Sequence, residues 1–339
     1  MKNKHHQRAL LWTALDEKKL RCELCAHYCV IADGKKGLCK ERQNDDGVLF
    51  SLNYGRLIAA NIDPIEKKPL YHFLPGSKSF SIASPGCNLR CAWCQNWDIS
   101  QANDRNDPSR LEFISADRLF TSILRSKAKS IAYTYTEPTV FFEYTLEVSK
   151  MAHESGIKNV YVSNGYMSSQ MLDLYLPYLD AANIDIKAFD NSVYRKYTGA
   201  GLQPVLENCK RLKNAGVWLE ITTLLVPGVN DDEVQVRGLA EFIASELGVE
   251  TPWHLSRFFP QRQFDQIEAT AIESIHQAME IGKSAGLKYI YAGNMSGSAD
   301  THCPNCDTTL ILRDRILLQE NRIQNGACPS CGQKIAGVW

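Results

Sequence analysis

The chain has 339 residues, 44% of them hydrophobic and 22% charged, and lysine plus arginine equals aspartate plus glutamate at 38 each. Such a length and balance suit one large folded core with an appendage, or two medium domains, and speak against a disordered chain, a nucleic-acid coat or a binder of anionic membranes. No apolar run reaches the roughly 20 residues that span a bilayer, and the opening MKNKHHQRALLWTALDEKK carries no small-residue cleavage pattern, so a cytoplasmic protein without membrane contact is expected. His5 and His6 are too few to form a metal-binding tract.

Twelve cysteines fall at 22, 25, 29 and 39, at 87, 91 and 94, and at 303, 306, 328 and 331, with Cys209 alone. Close-set cysteines in a long chain without a secretory leader favour metal ligation by reduced thiols over a disulfide framework. Residues 1–79 hold the first group and LFSLNYGRLIAANIDP, and read as a small, Cys-rich, β-rich lead-in. Four thiolates at Cys22, Cys25, Cys29 and Cys39, across the loop VIADGKKGL, suit zinc or a second iron-sulfur cluster, with His27 able to replace one sulfur; the alternative is reduced cysteines packing a small domain.

From 80 to 299 the runs SFSIAS, SIAYTY, NVYVS, NIDIK, WLEITTLLV, PWHLS and KYIYA alternate with amphipathic helical stretches. Gly156, Gly216, Gly248 and Gly286 stand where helices turn back into strands, and Ser115, Pro138 and Asn230 or Asp231 mark helix starts. The alternation predicts an α/β fold with a parallel sheet and right-handed crossovers, a closed or partial barrel in preference to an open doubly wound sheet. Functional residues of barrels project from the C-terminal ends of strands, where Cys87, Glu137, Ser163, Asn164, Asp185, Lys187 and Asn294 fall; polar residues also end strands merely because loops begin there. Cys209, in the helical run PVLENCKRLKNAG, reads as a buried filler.

SPGCNLRCAWCQNW places Cys87, Cys91 and Cys94 on one loop after the first of these strands. Three thiolates on one loop leave one iron of a cubane cluster open, whereas zinc would need a fourth ligand from elsewhere. C-x-x-x-C-x-aromatic-C at this place resembles the radical S-adenosylmethionine (SAM) superfamily, at Cys87, Cys91, Trp93 and Cys94. The resemblance implies a partial (β/α) TIM-like barrel, a 4Fe-4S cluster, and reductive cleavage of S-adenosyl-L-methionine to a 5'-deoxyadenosyl radical that abstracts hydrogen from substrate. It also implies Trp93, Glu137, Ser163, Asn164, Asp185 and Lys187 as cofactor-binding residues. Tyr135-Thr136-Glu137-Pro138 stands where the superfamily commonly has Gly-Gly-Glu-Pro, so both glycines are replaced. Glu137 read without the resemblance is a carboxylate at a helix N-terminus, and Asp185 with Lys187 is an ion pair on one strand face. V-S-N-G at 162–165, D-I-K at 185–187 and L-V-P-G at 225–228 are similar to the pyruvate formate-lyase activating enzyme branch; an arginine sometimes found upstream there is replaced by Thr222.

Cys303-Pro-Asn-Cys306 and Cys328-Pro-Ser-Cys331 have the spacing of two knuckles around one tetrahedral zinc, making residues 300–339 a zinc-ribbon-like module with a structural or docking role. Together with CELCAHYCVIADGKKGLCKER and SLNYGRLIAANIDPIEKKPLYHFLPG, these motifs resemble the AmmeMemoRadiSam system radical SAM enzyme family along nearly the whole chain. That resemblance implies AMMECR-type and Memo-type partner proteins, a flavodoxin or ferredoxin as reductant, and a protein, peptide or small-molecule substrate. Activation of a glycyl-radical enzyme is the nearest alternative, and a non-catalytic zinc-binding interaction protein is the alternative of another class. Tyr71, His72 and His254 are further polar candidates without an assigned role.

Overall fold

The computed structural model describes residues 7–101, 107–297 and 299–339, so His5 and His6 lie outside the described residues. An eight-stranded sheet organises the chain: β1 (Ala59–Pro64), β2 (Lys78–Ala83), β3 (Ser130–Tyr133), β4 (Lys158–Ser163), β5 (Ala181–Asp185), β6 (Trp218–Leu225), β7 (Trp253–Arg257) and β8 (Ile290–Gly293). The strands lie side by side in chain order, β1 antiparallel to β2 and every later pair parallel. Among the described residues β8 does not pair with β1, so the barrel is open. Each parallel strand coincides, within a few residues, with a run read from the sequence.

Local chemistry sets the element ends. The Ser115 hydroxyl accepts the N–H of Arg118 at 3.3 Å and starts the helix Ala116–Ser126. Pro138 occupies the first position of a 3-10 turn, Pro138–Phe141, that runs into the helix Phe142–Glu154. The helix Glu233–Phe242 corrects an expectation: its cap is Asp232, which accepts the N–H of Gln235 at 3.0 Å. Asn230 and Asp231 are held inside the preceding loop instead, Asn230 donating to the carbonyls of Lys187 and Leu224 and Asp231 accepting the N–H of Gly228. Gly156, Gly216, Gly248 and Gly286 all have positive φ, the left-handed turn from helix to strand that a side chain would strain.

Residues 7–51 build two small three-stranded antiparallel sheets. They are tied to the barrel by Arg42, whose guanidinium forks onto Glu143 of the helix Phe142–Glu154 at 2.7 and 2.6 Å, both side chains being buried. At the other end, the sheet of Thr301–His302, Thr309–Asp314 and Leu317–Asn321 packs on the segment that follows β1, with Arg313 Nη2 donating to the Tyr71 carbonyl at 2.8 Å. The Val338 N–H donates to the His72 carbonyl, and the Val338 carbonyl accepts the Leu74 N–H, each at 2.7 Å.

Side chains alternate along β6, which sends Glu220, Thr222 and Leu224 to one face. Glu220, fully buried, accepts the backbone N–H of Tyr71 at 3.0 Å and of His72 at 2.8 Å, the Trp218 indole at 2.9 Å and His254 Nε2 at 2.6 Å. Tyr71, His72 and His254 are therefore parts of a buried plug at the N-terminal end of the barrel, and none of them lines the cavity described next. Cys209 is likewise fully buried in the helix Gln203–Asn214. No helix among the described residues is long and apolar enough to cross a membrane.

Candidate functional site

A cavity of about 480 Å³ opens where the parallel strands end. The loop after β2, the ends of β3 to β7 and the turn after β8 all contribute to its wall, which shows that the sheet curls around it.

Cys87, Cys91 and Cys94 reach this wall together. Their loop is anchored from outside: the Arg90 N–H donates to the Thr198 carbonyl at 2.8 Å, the Ala92 N–H to the Tyr197 carbonyl at 3.0 Å, and Arg262 Nη1 to the Cys91 carbonyl at 2.6 Å. Trp93 packs its ring against Tyr197 and Phe264, with centroids 5.9 and 5.8 Å away, and also borders the cavity. The Leu89 N–H points at Cys87 Sγ at 3.3 Å, and the Ser100 hydroxyl lies 3.4 Å from Cys94 Sγ. Burial pushes the Cys91 thiol up to about 11 against the pull of the Lys187 ammonium, and pushes Cys87 well up. Protonated thiols become ligands when a metal displaces their protons. Among the described residues no fourth cysteine borders the cavity, so the soft donor set fits a cubane cluster with one iron left for an outside ligand.

The β3 end shows how the missing glycines are replaced. Tyr135 takes φ of 65°, in the left-handed region that costs a residue with a side chain on the order of 1–3 kcal/mol. Its phenol bonds Asp63, its ring lies 4.4 Å from Lys68 Nζ, and its carbonyl accepts Asn96 Nδ2 at 2.8 Å. Those contacts hold a conformation that glycine would adopt freely. Burial works to raise the Asp63 carboxyl, but hydrogen bonds from Lys68, Tyr135 and Lys67 hold it well below the usual range.

Glu137 joins two strand ends. Oε1 accepts the Thr139 N–H at 3.0 Å, the Thr139 hydroxyl at 2.6 Å and the Ser163 hydroxyl at 2.8 Å, while Oε2 accepts the Asn164 N–H at 2.9 Å. Glu137 is thus the cap that its place before Pro138 suggested, and it also faces the cavity. Asn164 carries the chain of contacts onward, its Nδ2 donating to Asn88 Oδ1 at 2.8 Å and lying 3.7 Å from Cys87 Sγ. Across the cavity Lys187 Nζ sits 2.9 Å from Asp185 Oδ2; burial works against the ammonium, but Asp185 and the nearby Cys91 hold Lys187 above its ordinary value.

All seven polar strand-end positions read from the sequence therefore border one cavity. Asn183, Ser256, Lys67 and Asn96 border it too and were not singled out, while Thr222 was noted only as a replacement. Alternation along β5, β6 and β7 was the available signal, since each inward position lies two residues from the next. Thr222 Oγ1 is buried and without a hydrogen-bond partner among the described residues.

Residues 81–238 match the family model described as the radical SAM superfamily. Over 333 residues the chain is 40% identical to an uncharacterized protein of Methanocaldococcus jannaschii, covering 96% of this chain and 98% of that one. Residues 81–238 carry a radical SAM superfamily domain. The chain is also similar to the pyruvate formate-lyase-activating enzyme of Clostridium pasteurianum, 26% identical over 182 residues, which is 50% of this chain and 72% of that enzyme. Streptococcus suis SuiB bound to S-adenosylmethionine shares the fold, with a TM-score of 0.50 at 14% identity over 68% of this chain and 53% of SuiB. A radical SAM superfamily domain implies a 4Fe-4S cluster and SAM, and the triad fits that implication.

A separate metal-capable group lies at the C-terminal sheet. The ligand atoms of Cys303, Cys306, Cys328 and Cys331 all fall within 4.8 Å of one another, with Sγ–Sγ distances of 3.6 Å for Cys303–Cys331 and 3.7 Å for Cys306–Cys328.

Proposed function

We propose that this chain is a radical SAM enzyme that acts on a protein or peptide substrate. Bound at Cys87, Cys91 and Cys94, a 4Fe-4S cluster with SAM at its open iron would supply reductive carbon–sulfur cleavage, the source of a 5'-deoxyadenosyl radical for hydrogen abstraction. The observation that carries this reading is the meeting of an incomplete thiol set with six further polar strand-end residues on one cavity wall.

The chain's own part is holding and orienting. Arg262, Thr198 and Tyr197 fix the cysteine loop by its backbone, so the three sulfurs keep their places without the side chains having to pack elsewhere. Glu137, Ser163 and Asn164 form one bonded unit that locks the β3 end to the β4 end, and Glu137, whose carboxyl is raised by burial against the pull of its hydrogen bonds, turns to the cavity as the acceptor for the SAM ammonium. Asp185 and Lys187 offer a charge pair on the opposite side, and Thr222 an unpaired hydroxyl, for the polar groups of the same cofactor. Trp93 closes the loop side against water.

Anaerobic reconstitution followed by dithionite and SAM tests the reading; 5'-deoxyadenosine is the expected product, and its absence from fully metallated protein would refute it. Asp185→Asn, which keeps size but unpairs Lys187, is expected to weaken SAM binding by about tenfold while iron content stays at the wild-type level. An unchanged Kd would return the pair to a purely structural role. A flavodoxin or ferredoxin is the proposed reductant, and AMMECR-type and Memo-type proteins are the proposed partners of an AmmeMemoRadiSam-type enzyme. Likeness to activating enzymes supports a second reading, activation of a glycyl-radical enzyme; a glycine-centred radical on a partner would distinguish it from modification of other substrates.

The ribbon cysteines are proposed to hold zinc, since their sulfur separations are those of a single tetrahedral ion. Cys306→Ser is expected to remove about one zinc per chain and to lower the melting temperature, as structural zinc contributes directly to folding. Metal analysis that finds zinc retained in this variant would contradict the assignment.

A further inference from the structure

We propose that Cys22, Cys25, Cys29 and Cys39 hold a second 4Fe-4S cluster, fully ligated by cysteine and separated from the Cys87 sulfur by one side chain, Asn88. The inference rests on the functional reading above only in naming its neighbour as the SAM-binding site.

The four cysteines come from different turns of the small N-terminal sheets, yet all line one small pocket, about 20 Å³, whose remaining wall is mostly apolar, including Leu24, Ile31 and Val140. Cys22 belongs to the strand Leu20–Cys22, and its N–H donates to the Cys29 carbonyl at 2.9 Å, which folds the intervening loop back across the cavity. His27 is turned partly away, since its Nε2 lies 2.8 Å from the Asn88 carbonyl.

Sulfur spacing separates a cluster from zinc. Around one tetrahedral zinc with bonds of about 2.3 Å, sulfurs must crowd together, and the ribbon cysteines do so within 4.8 Å. Among the described residues that ribbon quartet is the only His, Cys, Asp or Glu group so closely gathered. Neither the N-terminal quartet nor the Cys87, Cys91 and Cys94 triad is gathered so closely among the described residues, although each group lines one pocket. A cubane core, which puts iron and sulfide between its ligands, demands that wider stance.

Position gives the second cluster a use. Asn88 lines its cavity, while Asn88 Oδ1 lies 4.0 Å from Cys87 Sγ and accepts Asn164 Nδ2 at 2.8 Å. Four cysteine ligands leave no open iron for SAM, so this cluster can hold one electron beside the Cys87 site without taking part in bond cleavage.

The test uses the full chain, reconstituted anaerobically with iron and sulfide, and the variant Cys87→Ala/Cys91→Ala/Cys94→Ala. That variant is expected to keep about four irons and four sulfides per chain with a 4Fe-4S Mössbauer pattern, against about eight irons in the wild type. Its reduced EPR signal is expected to ignore added SAM. A triple variant without iron, whether it carries about two zincs or one, would overturn the proposal, as would a residual cluster whose signal shifts with SAM. Cys25→Ser/Cys29→Ser, wherever it folds, is expected to lose the extra four irons and keep the rest. Retention of the extra cluster by the triple variant alongside a wild type that never cleaves SAM would sink the catalytic reading and leave this one standing.

Discussion

Cys91→Ala is expected to abolish SAM cleavage while leaving the fold in place. Its side chain faces the cavity as a proposed ligand, but its structural bond is made by the backbone: the Cys91 carbonyl accepts Arg262 Nη1, and its neighbour Ala92 is tied to Tyr197. Alanine preserves those contacts and removes one sulfur. With two thiolates left, the cubane loses its third anchor, and no other cysteine among the described residues borders the cavity to replace it. The iron held at this site should fall to a small fraction of wild type, and 5'-deoxyadenosine to background under dithionite. The melting temperature of the metal-free protein should move little, because removing one sulfur atom opens only a small void beside an existing cavity. Cleavage within tenfold of wild type would mean that Cys91 is not a ligand and that the loop does not hold the cluster.

Much of the cavity wall was legible because its logic is local. A cysteine triad on one loop is a sequence pattern, and residues that end strands are found wherever the strands are found. The alternation of β-branched runs with capped helices located all the parallel strands, and positive-φ glycines fixed where each helix turned. Tyr135 shows the limit of that logic. A glycine-sized conformation is retained there by Asp63 and Lys68, two residues some seventy positions away, and no local pattern encodes such a contact. The helix cap at Asp232 was misplaced for a related reason: three polar residues in a row compete for one N–H, and the winner is decided by which of them the loop has already engaged. Tyr71, His72 and His254 looked equally free to meet substrate until the inward face of β6 placed Glu220 among them.

That plug carries the largest stability effect expected outside the cluster. Glu220→Gln keeps the shape of the side chain but replaces one acceptor oxygen with an amide that can only donate, facing either the N–H of Tyr71 and His254 Nε2 or the N–H of His72 and the Trp218 indole. In either orientation at least one buried backbone N–H is left opposite another donor and His254 loses its carboxylate partner, and breaking such a buried network costs about 3–5 kcal/mol. Burial alone would raise the Glu220 carboxyl, but the hydrogen bond and charge of His254 outweigh it and hold the carboxyl below its ordinary value. A depressed carboxyl contributes stability above its unfolded value and loses it as pH falls through the folded one. The penalty of Glu220→Gln should thus be full near neutrality and shrink in acid. His72, pushed down to about 4 by burial, adds an erosion of its own as pH falls from the ordinary histidine range toward that value. Glu41, pushed up to about 8 by burial, titrates in the opposite sense, so wild type and variant must be compared at each pH by chemical denaturation. A difference that stays constant from neutral to acid pH would show that Glu220 is neutral in the folded protein and that the plug is held by packing rather than by charge.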